Sequence, residues 1–221
     1  MILAAGRGAR MRPLTDAVPK PLLKVGDKPL IAYHLIKLAS LGITEVVINI
    51  AYLADVIKNT LGDGRQYGVH IEYSYEPEAL ETGGGIYQAL PLLGDEPFLV
   101  VSGDVWTAYP FERLPKQLST SLAHLVLVPN PEFHPRGDFT CEDGLLGLEG
   151  PHKFTFGNIG VYHPQFFADC KPGFFRLGDL MAAWINKQQV GGEVYCGEWY
   201  NIGTPAQLAF LQGKVITTAY S

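Results

Sequence analysis

The chain opens with an apolar segment that runs directly into a loop rich in glycine and basic residues. Residues 2–5 are apolar, as in a buried strand, and the loop that follows contains Gly6, Gly8, Arg10, Arg12 and Lys20. Glycine lets the backbone approach a ligand closely and present several N–H groups to one anion. Arginine and lysine supply charged donors for phosphate oxygens. A strand that leads into such a loop predicts a βα unit that binds a polyphosphate.

The loop differs from two common phosphate-binding motifs. No Gly-Lys-Ser or Gly-Lys-Thr closes it, which excludes a Walker A loop. The third glycine of the dinucleotide-binding fingerprint would fall at Met11, which excludes that motif as well.

Composition restricts the class of protein further. The 221 residues are 47% hydrophobic, which is enough for one large α/β core without disulfides or structural metals. The net charge of −5 argues against general binding of nucleic acid. Cys141, Cys170 and Cys196 are widely spaced, match no metal-site pattern and predict a reducing, cytoplasmic location. No signal peptide precedes the first strand and no apolar run reaches about 18 residues, so we expect no association with a membrane.

Strands and short helices alternate in the first half of the chain. After the strand at residues 2–5, the pattern predicts strands at 46–50, 69–75 and 98–101 and helices at 29–41, 53–61 and 84–93. The second half predicts strands at 123–128 and 154–162, a hairpin within 138–148 and helices near 177–188 and 205–213. We therefore expect an α/β protein with a Rossmann-like, mostly parallel mixed sheet flanked by helices and a small antiparallel insertion.

The opening segment also carries a family resemblance. Residues 3–15 read Leu-Ala-Ala-Gly-Arg-Gly-Ala-Arg-Met-Arg-Pro-Leu-Thr, and residues 19–22 read Pro-Lys-Pro-Leu. This string closely resembles the N-terminal signature of sugar-1-phosphate nucleotidyltransferases. The resemblance implies the nucleotide-diphospho-sugar transferase type of fold in one domain over residues 1–221, with a nucleotide half at about 1–104 and a sugar-phosphate half at about 105–221. It also implies that a few further residues precede the first strand.

Asp104 is the candidate metal ligand. It follows an apolar strand in the string Val-Val-Ser-Gly-Asp at residues 100–104 and would lie at the carboxyl end of the sheet, where ligands bind in such folds. Taken alone, Gly-Asp is equally typical of an ordinary turn. The aspartate of this element holds the metal in the family that the chain resembles, which implies that Asp104 binds Mg²⁺.

A run of glycines at residues 83–85 forms the next candidate site. Glycines in front of a helix would leave its N-terminal amides open to a ligand, whereas the structural alternative is a loop in which Glu81 or Thr82 caps the helix. In the family, a segment of this kind contacts the base and the sugar. The Glu-Thr-Gly-Gly-Gly version at residues 81–85 resembles the branch that acts on N-acetylmuramic acid 1-phosphate in bacterial cell-wall recycling.

The resemblance assigns roles to named residues. Arg10, Lys20 and Asp104 would be catalytic: Arg10 holds the leaving phosphates and Lys20 bridges the phosphates of both substrates. The nucleotide would be bound by Leu3, Ala4, Ala5, Gly6, Gly8, Arg10, Glu76, Leu80, Thr82 and Gly83. The sugar phosphate would be bound by Lys20, Gly84, Arg136, Gly137, Asp138, Glu149 and Asn158. Gly150 stands where many relatives have a lysine after the glutamate, so one sugar-phosphate contact is missing, and a surface turn is the alternative there.

Position 201 departs from the family pattern. Relatives carry Trp-x-Asp-Ile-Gly-Thr-Pro near the C-terminus, and that aspartate is the second metal ligand, whereas residues 199–205 read Trp-Tyr-Asn-Ile-Gly-Thr-Pro here. Asn201 offers a neutral oxygen, so metal binding by Asp104 and Asn201 should be weaker. A natural variant, an inactivating replacement and an engineered change all fit the sequence. Thr204 and Pro205 also predict the start of a helix.

The sequence leaves three functions open. The first, which we expect, is transfer of UMP from UTP, or of dTMP from dTTP as second choice, to a sugar 1-phosphate, which the resemblance makes N-acetylmuramic acid 1-phosphate, with Mg²⁺ as cofactor. The second is the same chemistry as a glucose-1-phosphate thymidylyltransferase or mannose-1-phosphate guanylyltransferase. The third is a catalytically silent nucleotide-sensing subunit, which Asn201 favours and which intact Arg10, Lys20 and Asp104 oppose. We expect a monomer or small homo-oligomer that binds neither nucleic acid nor membrane. No hexapeptide repeat occurs up to Ser221, so we expect no second acyltransferase activity.

Overall fold

A computed structural model describes residues 1–219, with side chains for residues 1–214. The chain divides into two compact units. The first unit comprises residues 2–79 and 102–107 together with the chain from Tyr200 onward. The second unit comprises Met1 and residues 80–101 and 108–199.

Thirteen strands and five α-helices are present in the described residues. In chain order the strands are β1 (Ile2–Leu3), β2 (Lys24–Val25), β3 (Lys28–Pro29), β4 (Glu45–Ile50), β5 (His70–Tyr75), β6 (Phe98–Ser102), β7 (Val105–Thr107), β8 (Ala123–Val128), β9 (Thr140–Glu142), β10 (Leu145–Gly147), β11 (Thr155–Tyr162), β12 (Val190–Val194) and β13 (Trp199–Asn201). The helices are α1 (Leu30–Ser40), α2 (Ala54–Leu61), α3 (Glu81–Leu93), α4 (Leu177–Asn186) and α5 (Pro205–Ala219). None of these helices is long and apolar enough to cross a membrane.

The first unit contains a parallel sheet in the order β5-β4-β1. Ile2 pairs with Ile48 between β1 and β4, and Ile50 pairs with Tyr75 between β4 and β5. Because all three strands run in one direction, their carboxyl ends meet at one edge of the sheet, where ligands bind in such folds. The predicted parallel alternation of strands and helices in this part of the chain is confirmed.

The second unit contains a mixed sheet in the order β6-β11-β8-β12-β10-β9. Strand β11 is antiparallel to β6 and β8, and β12 is parallel to β8. The predicted hairpin is confirmed as β9 and β10, joined by Asp143 and Gly144, which have φ angles of 50° and 78°. Two successive positive φ angles are what a two-residue hairpin turn of the primed type requires.

Strand β12 is missing from the sequence prediction. It contains Gly191 and Gly192, and glycine weakens a strand signal because it adds no side chain to pack. The structure explains why glycine occupies position 192: a Cβ there would lie 2.7 Å from the carbonyl oxygen of Leu125. The glycine therefore serves a close approach of β12 to the neighbouring strand.

Candidate active site

The glycine loop begins where β1 ends. Gly8 adopts a φ of 64°, and a Cβ there would lie 3.2 Å from both Lys20 Cβ and Thr15 Cγ2. The Thr15 hydroxyl donates to the Gly8 carbonyl over 2.9 Å and so closes the loop. A Cβ on Gly6, by contrast, would meet no atom within 4 Å. Gly8 is thus required by the loop's own geometry, whereas Gly6 keeps open space of the kind that a ligand's approach needs.

Lys20 and Asp104 form an ion pair in the first unit, although 84 positions separate them. Lys20 Nζ donates to Asp104 Oδ2, and the Ser102 hydroxyl donates to Asp104 Oδ1 over 2.7 Å. The two charged side chains are mostly buried, with 13% and 21% of their surfaces exposed. Sequence reasoning missed Ser102, which fixes the carboxylate from two positions upstream. The sequence therefore folds so that two of the three predicted catalytic residues share one polar cluster.

Asn201 belongs to a segment that is bonded to the backbone of Asp104. The Ile202 N–H donates to the carbonyl of Asp104 over 2.8 Å, which holds the residue after Asn201 beside the backbone of Asp104. The side-chain oxygen Oδ1 of Asn201 is buried and has no hydrogen-bond partner. A buried oxygen without a donor is costly unless a bound ion or water satisfies it. The oxygens of Asp104 and Asn201 are ligands that Mg²⁺ accepts, so the residues present fit a magnesium site.

Arg10 reaches the start of the last helix. A Cβ on Gly203 would lie 3.5 Å from Arg10 Nη2, so the guanidinium packs over this glycine. The Gln207 side chain accepts the N–H of Gly203 over 2.8 Å, and the Thr204 hydroxyl accepts the N–H of Gln207 over 3.3 Å. The prediction that Thr204 caps this helix is confirmed.

Asn49 and Glu76 form a hydrogen-bonded pair that contacts Ala4 at the start of the glycine loop. Asn49 Oδ1 accepts the N–H of Ala4 over 2.9 Å, and Asn49 Nδ2 donates to Glu76 Oε1 over 2.7 Å. Both polar side chains are buried. Asn49 therefore links Glu76 to Ala4, and the first unit also contains the other predicted nucleotide residues of residues 2–79: Leu3, Ala5, Gly6, Gly8 and Arg10.

The histidine of the first helix is buried beside the backbone of Val105. His34 is buried, and its Nε2 lies 2.6 Å from the carbonyl oxygen of Val105, to which the neutral ring donates. Burial lowers the pKa of His34 to about 4, so the ring is uncharged near neutral pH. His34 is therefore a core residue whose ring is satisfied by the backbone.

The glycine run at residues 83–85 belongs to the second unit. The prediction that it precedes the helix is wrong, because α3 begins at Glu81, which has a φ of 61°, and the glycines form its first turn. Neither Glu81 nor Thr82 caps the helix, since the N-cap is Leu80 and makes no side-chain cap. The Gly84 N–H donates to the carbonyl of Phe175 over 3.2 Å, so this amide is not open to a ligand. Contacts of Leu80, Thr82, Gly83 and Gly84 with substrates stay predictions.

We expect Gly83→Ala to lower the free energy of unfolding by about 1–3 kcal/mol. A Cβ at this position would lie 2.5 Å from Phe175 Cδ2 and Cε2 and 2.9 Å from the Phe175 carbonyl oxygen. Urea unfolding of the variant measures the change, and Gly178→Ala is the matched control because a Cβ there meets nothing within 4 Å. Equal stabilities of the two variants would contradict the packing role.

The predicted sugar residues of the second unit have unequal surroundings. Asn158 has a φ of 56° and lies where the pairing of β11 with β8 is interrupted by a bulge. Bulges and strained residues of this kind re-aim side chains and cluster at functional sites. Asp138 instead has structural partners, since Oδ2 accepts the N–H of Phe156 over 2.8 Å and Oδ1 lies 2.9 Å from His134 Nε2. Gly137 has a φ of 63°, and a Cβ there would lie 2.7 Å from Asn130 Oδ1, so this glycine is closely packed.

Arg136 and Glu149 are exposed. Arg136 lies on an open cavity of about 540 Å³ in the second unit, with Lys153 and His152 on the same lining. Three prolines also line it: Pro129, Pro135 and Pro151. The basic side chains of Arg136 and Lys153 on one wall suit this cavity to an anionic group. Glu149 is absent from the lining, and its contact with sugar stays a prediction.

The fold and these residues define a class of protein. Residues 1–136 match the family model for nucleotidyl transferases, and the chain belongs to this family. It is 47% identical over 220 residues to N-acetylmuramate alpha-1-phosphate uridylyltransferase of Neisseria meningitidis serogroup B, with 94% of each chain covered. It is 33% identical over 226 residues to the enzyme of the same name from Caulobacter vibrioides, with 95% of this chain and 93% of the relative covered. The predicted family resemblance is confirmed.

A solved structure supports the fold. HddC from Yersinia pseudotuberculosis, crystallised with GMP-PN, matches with a TM-score of 0.79 over 97% of each chain at 19% identity. At this identity the likeness concerns the fold alone. The predicted α/β class, a Rossmann-like mixed sheet flanked by helices with small antiparallel additions, is confirmed.

Proposed function

We propose that this protein transfers UMP from UTP to N-acetylmuramic acid 1-phosphate and releases pyrophosphate. The observation that carries the proposal is the ion pair of Lys20 and Asp104 beside Gly8, together with the unpartnered oxygen of Asn201 in the segment that is bonded to the Asp104 backbone. Identity of 47% over nearly the full length to an N-acetylmuramate alpha-1-phosphate uridylyltransferase supports this choice of substrates. The proposal makes the chain a biosynthetic enzyme of nucleotide sugars.

The reaction is an in-line displacement at phosphorus. A phosphate oxygen of the sugar 1-phosphate forms a bond to the α-phosphorus, and the bond from that phosphorus to the bridging oxygen of pyrophosphate breaks. The attacking oxygen is already anionic, so no side chain has to act as general base. The protein contributes position and positive charge, which together supply most of the catalysis in reactions of this kind.

The residues of the first unit divide this work. The N–H groups of the glycine loop and the guanidinium of Arg10 would hold the β- and γ-phosphates, which leave as pyrophosphate. Lys20 would exchange its bond with Asp104 for oxygens of the substrate phosphates and neutralise charge between them. Asp104 and Asn201 would hold Mg²⁺, which supplies further neutralisation of phosphate charge when bound.

Base recognition would rest on the backbone of Leu3, Ala4 and Ala5 and on Glu76. Backbone groups read the polar edge that uracil and thymine share, so only the methyl group of thymine separates UTP from dTTP. One methyl group is worth about 1–3 kcal/mol in a hydrophobic pocket. Because a relative of 47% identity is a uridylyltransferase, we propose UTP as the preferred substrate and dTTP as a slower one.

We expect N-acetylmuramic acid 1-phosphate with UTP to react with a kcat/KM about tenfold or more above that of glucose 1-phosphate with dTTP. The lactyl ether of N-acetylmuramic acid carries a carboxylate, and a charge-assisted hydrogen bond to Arg136 is worth about 1.5–3 kcal/mol. Release of pyrophosphate across a panel of triphosphates and sugar 1-phosphates measures the preference. Higher kcat/KM with glucose 1-phosphate and dTTP, or with mannose 1-phosphate and GTP, would make the alternative substrates correct.

N-acetylglucosamine 1-phosphate is the matched substrate for Arg136, because it lacks only the lactyl ether. Arg136→Ala should lower kcat/KM for the lactyl substrate and leave that for N-acetylglucosamine 1-phosphate within about threefold. An equal loss for both substrates would remove Arg136 from recognition of the carboxylate.

A nucleotide-sensing subunit is the second candidate, and the observation in its favour is Asn201 in place of aspartate. Such a protein would bind UTP, which calorimetry detects, but release no pyrophosphate with any sugar 1-phosphate. Release of pyrophosphate at any magnesium concentration excludes this candidate.

A further inference from the structure

Asn49 joins the carboxyl ends of three neighbouring strands. It lies near the end of β4, where it is in register with Leu3 of β1 on one side and with Ser74 of β5 on the other. Ala4 is the first residue after β1, and its N–H extends beyond the strand pairing. The side chain of Asn49 accepts this N–H over 2.9 Å and continues the hydrogen bonding of the sheet into the glycine loop.

Glu76 occupies the corresponding position after β5. Its N–H donates to the carbonyl of Ile50 over 2.8 Å, and its carboxylate accepts a hydrogen bond from Asn49 Nδ2 over 2.7 Å. Glu76 is 1% exposed and Asn49 is 3% exposed. The orientation of the Asn49 amide is unambiguous, because the Ala4 N–H needs an acceptor and the carboxylate of Glu76 needs a donor.

We infer that Asn49 is a positioning residue for nucleotide binding, which couples the carboxylate of Glu76 to the first amide of the glycine loop. This inference rests on the proposed function, in which the loop and Glu76 bind the nucleotide. Because Asn49 makes one bond to each segment, it sets their separation. A buried polar pair that is fully satisfied holds its members rigidly, and an unsatisfied member is costly.

Asn49→Asp removes the amide donor with little change in shape. Aspartate still accepts the Ala4 N–H, but it faces Glu76 with a second carboxyl group, and the two can be joined only if one of them takes up a proton. We expect the dissociation constant for UTP, measured by calorimetry without sugar phosphate, to rise about 10–100-fold. The KM for the sugar 1-phosphate should stay within about threefold, a split that general destabilisation would not produce.

A reciprocal exchange tests the coupling itself. In the double variant Asn49→Asp with Glu76→Gln, the glutamine amide can donate to Asp at position 49, so the hydrogen bond returns with donor and acceptor exchanged. We expect the double variant to bind UTP within about threefold of Glu76→Gln alone, which can keep the original bond through its side-chain oxygen. Tyr73→Phe is the matched control, since it removes a hydrogen bond of 2.7 Å to Gly62 that contacts neither the loop nor Glu76.

The outcomes separate the inference from the proposed function. An unaltered protein that binds no nucleoside triphosphate contradicts the proposed function. Binding of UTP by Asn49→Asp as tight as that of the unaltered protein, or a double variant that binds UTP more than about threefold weaker than Glu76→Gln alone, overturns the inference alone. If thermal unfolding shows that Asn49→Asp does not fold, Asn49→Ala carries the same comparison, because it removes both bonds without adding a charge.

Discussion

Replacement of Lys20 by alanine is expected to lower kcat about 10²–10³-fold with both substrates saturating. In the structure the ammonium group pairs with Asp104, the predicted metal ligand, in a site where water has little access to either charge. A charge held in such surroundings stabilises the transition state more than it would in water. Pyrophosphate release by the purified variant measures the loss.

The control for Lys20 is Arg12, which belongs to the same loop. Arg12 pairs with Asp16 at 2.7 Å, and both side chains are about half exposed, so Arg12→Ala should change kcat less than about threefold. Loss of Lys20 leaves Asp104 without its cation, so unfolding of Lys20→Ala must be measured beside kcat. A folded Lys20→Ala enzyme with normal kcat would show that Lys20 has no part in catalysis.

The sequence contains enough information to bring Lys20 and Asp104 together. An apolar strand followed by glycines and cations predicts a phosphate loop, and an aspartate after another apolar strand predicts a second contributor at the same edge. Both inferences use one rule, that parallel strands end at a common edge. The rule predicts at which edge of the sheet the two residues lie, but not which atoms are in contact. The ion pair of Lys20 with Asp104 and the hydrogen bond from Ser102 are seen only in the structure.

The role of a glycine is harder to predict from the sequence than the role of a charged residue. Gly83 and Gly84 suggested an open anion site, but their lack of a side chain accommodates Phe175 and Gly173, which lie about 90 positions along the chain. Strand β12 is likewise not predicted, because Gly191 and Gly192 give no side-chain pattern and instead allow close packing against a neighbouring strand. A glycine leaves room either for a ligand or for a neighbouring residue of the protein. The sequence does not distinguish these two roles, because the neighbour is distant along the chain.

Asn201 places a neutral side chain where the related enzymes have a negatively charged aspartate. Its side-chain oxygen is buried, lacks a hydrogen-bond partner and belongs to a segment bonded to the backbone of Asp104. A carboxylate there would face a divalent ion with a full negative charge. Even with the dielectric constant of water, a charge of two and a charge of one about 4 Å apart attract by about 2 kcal/mol. That energy corresponds to about a thirtyfold change in affinity.

Asn201→Asp is therefore expected to tighten binding of Mg²⁺ about thirtyfold and to raise activity at low magnesium. Titration of both proteins with metal under saturating UTP, followed by pyrophosphate release, gives half-saturating concentrations, and calorimetry with Mn²⁺ gives affinity without turnover. High magnesium or manganese should partly restore the rate of the unaltered protein, because mass action offsets weak binding. Identical metal curves for the two proteins would show that position 201 does not contact the ion. Activity that appears only with aspartate, at any metal concentration, would instead identify Asn201 as an inactivating residue, because neutral oxygen at that position would then be insufficient for catalysis.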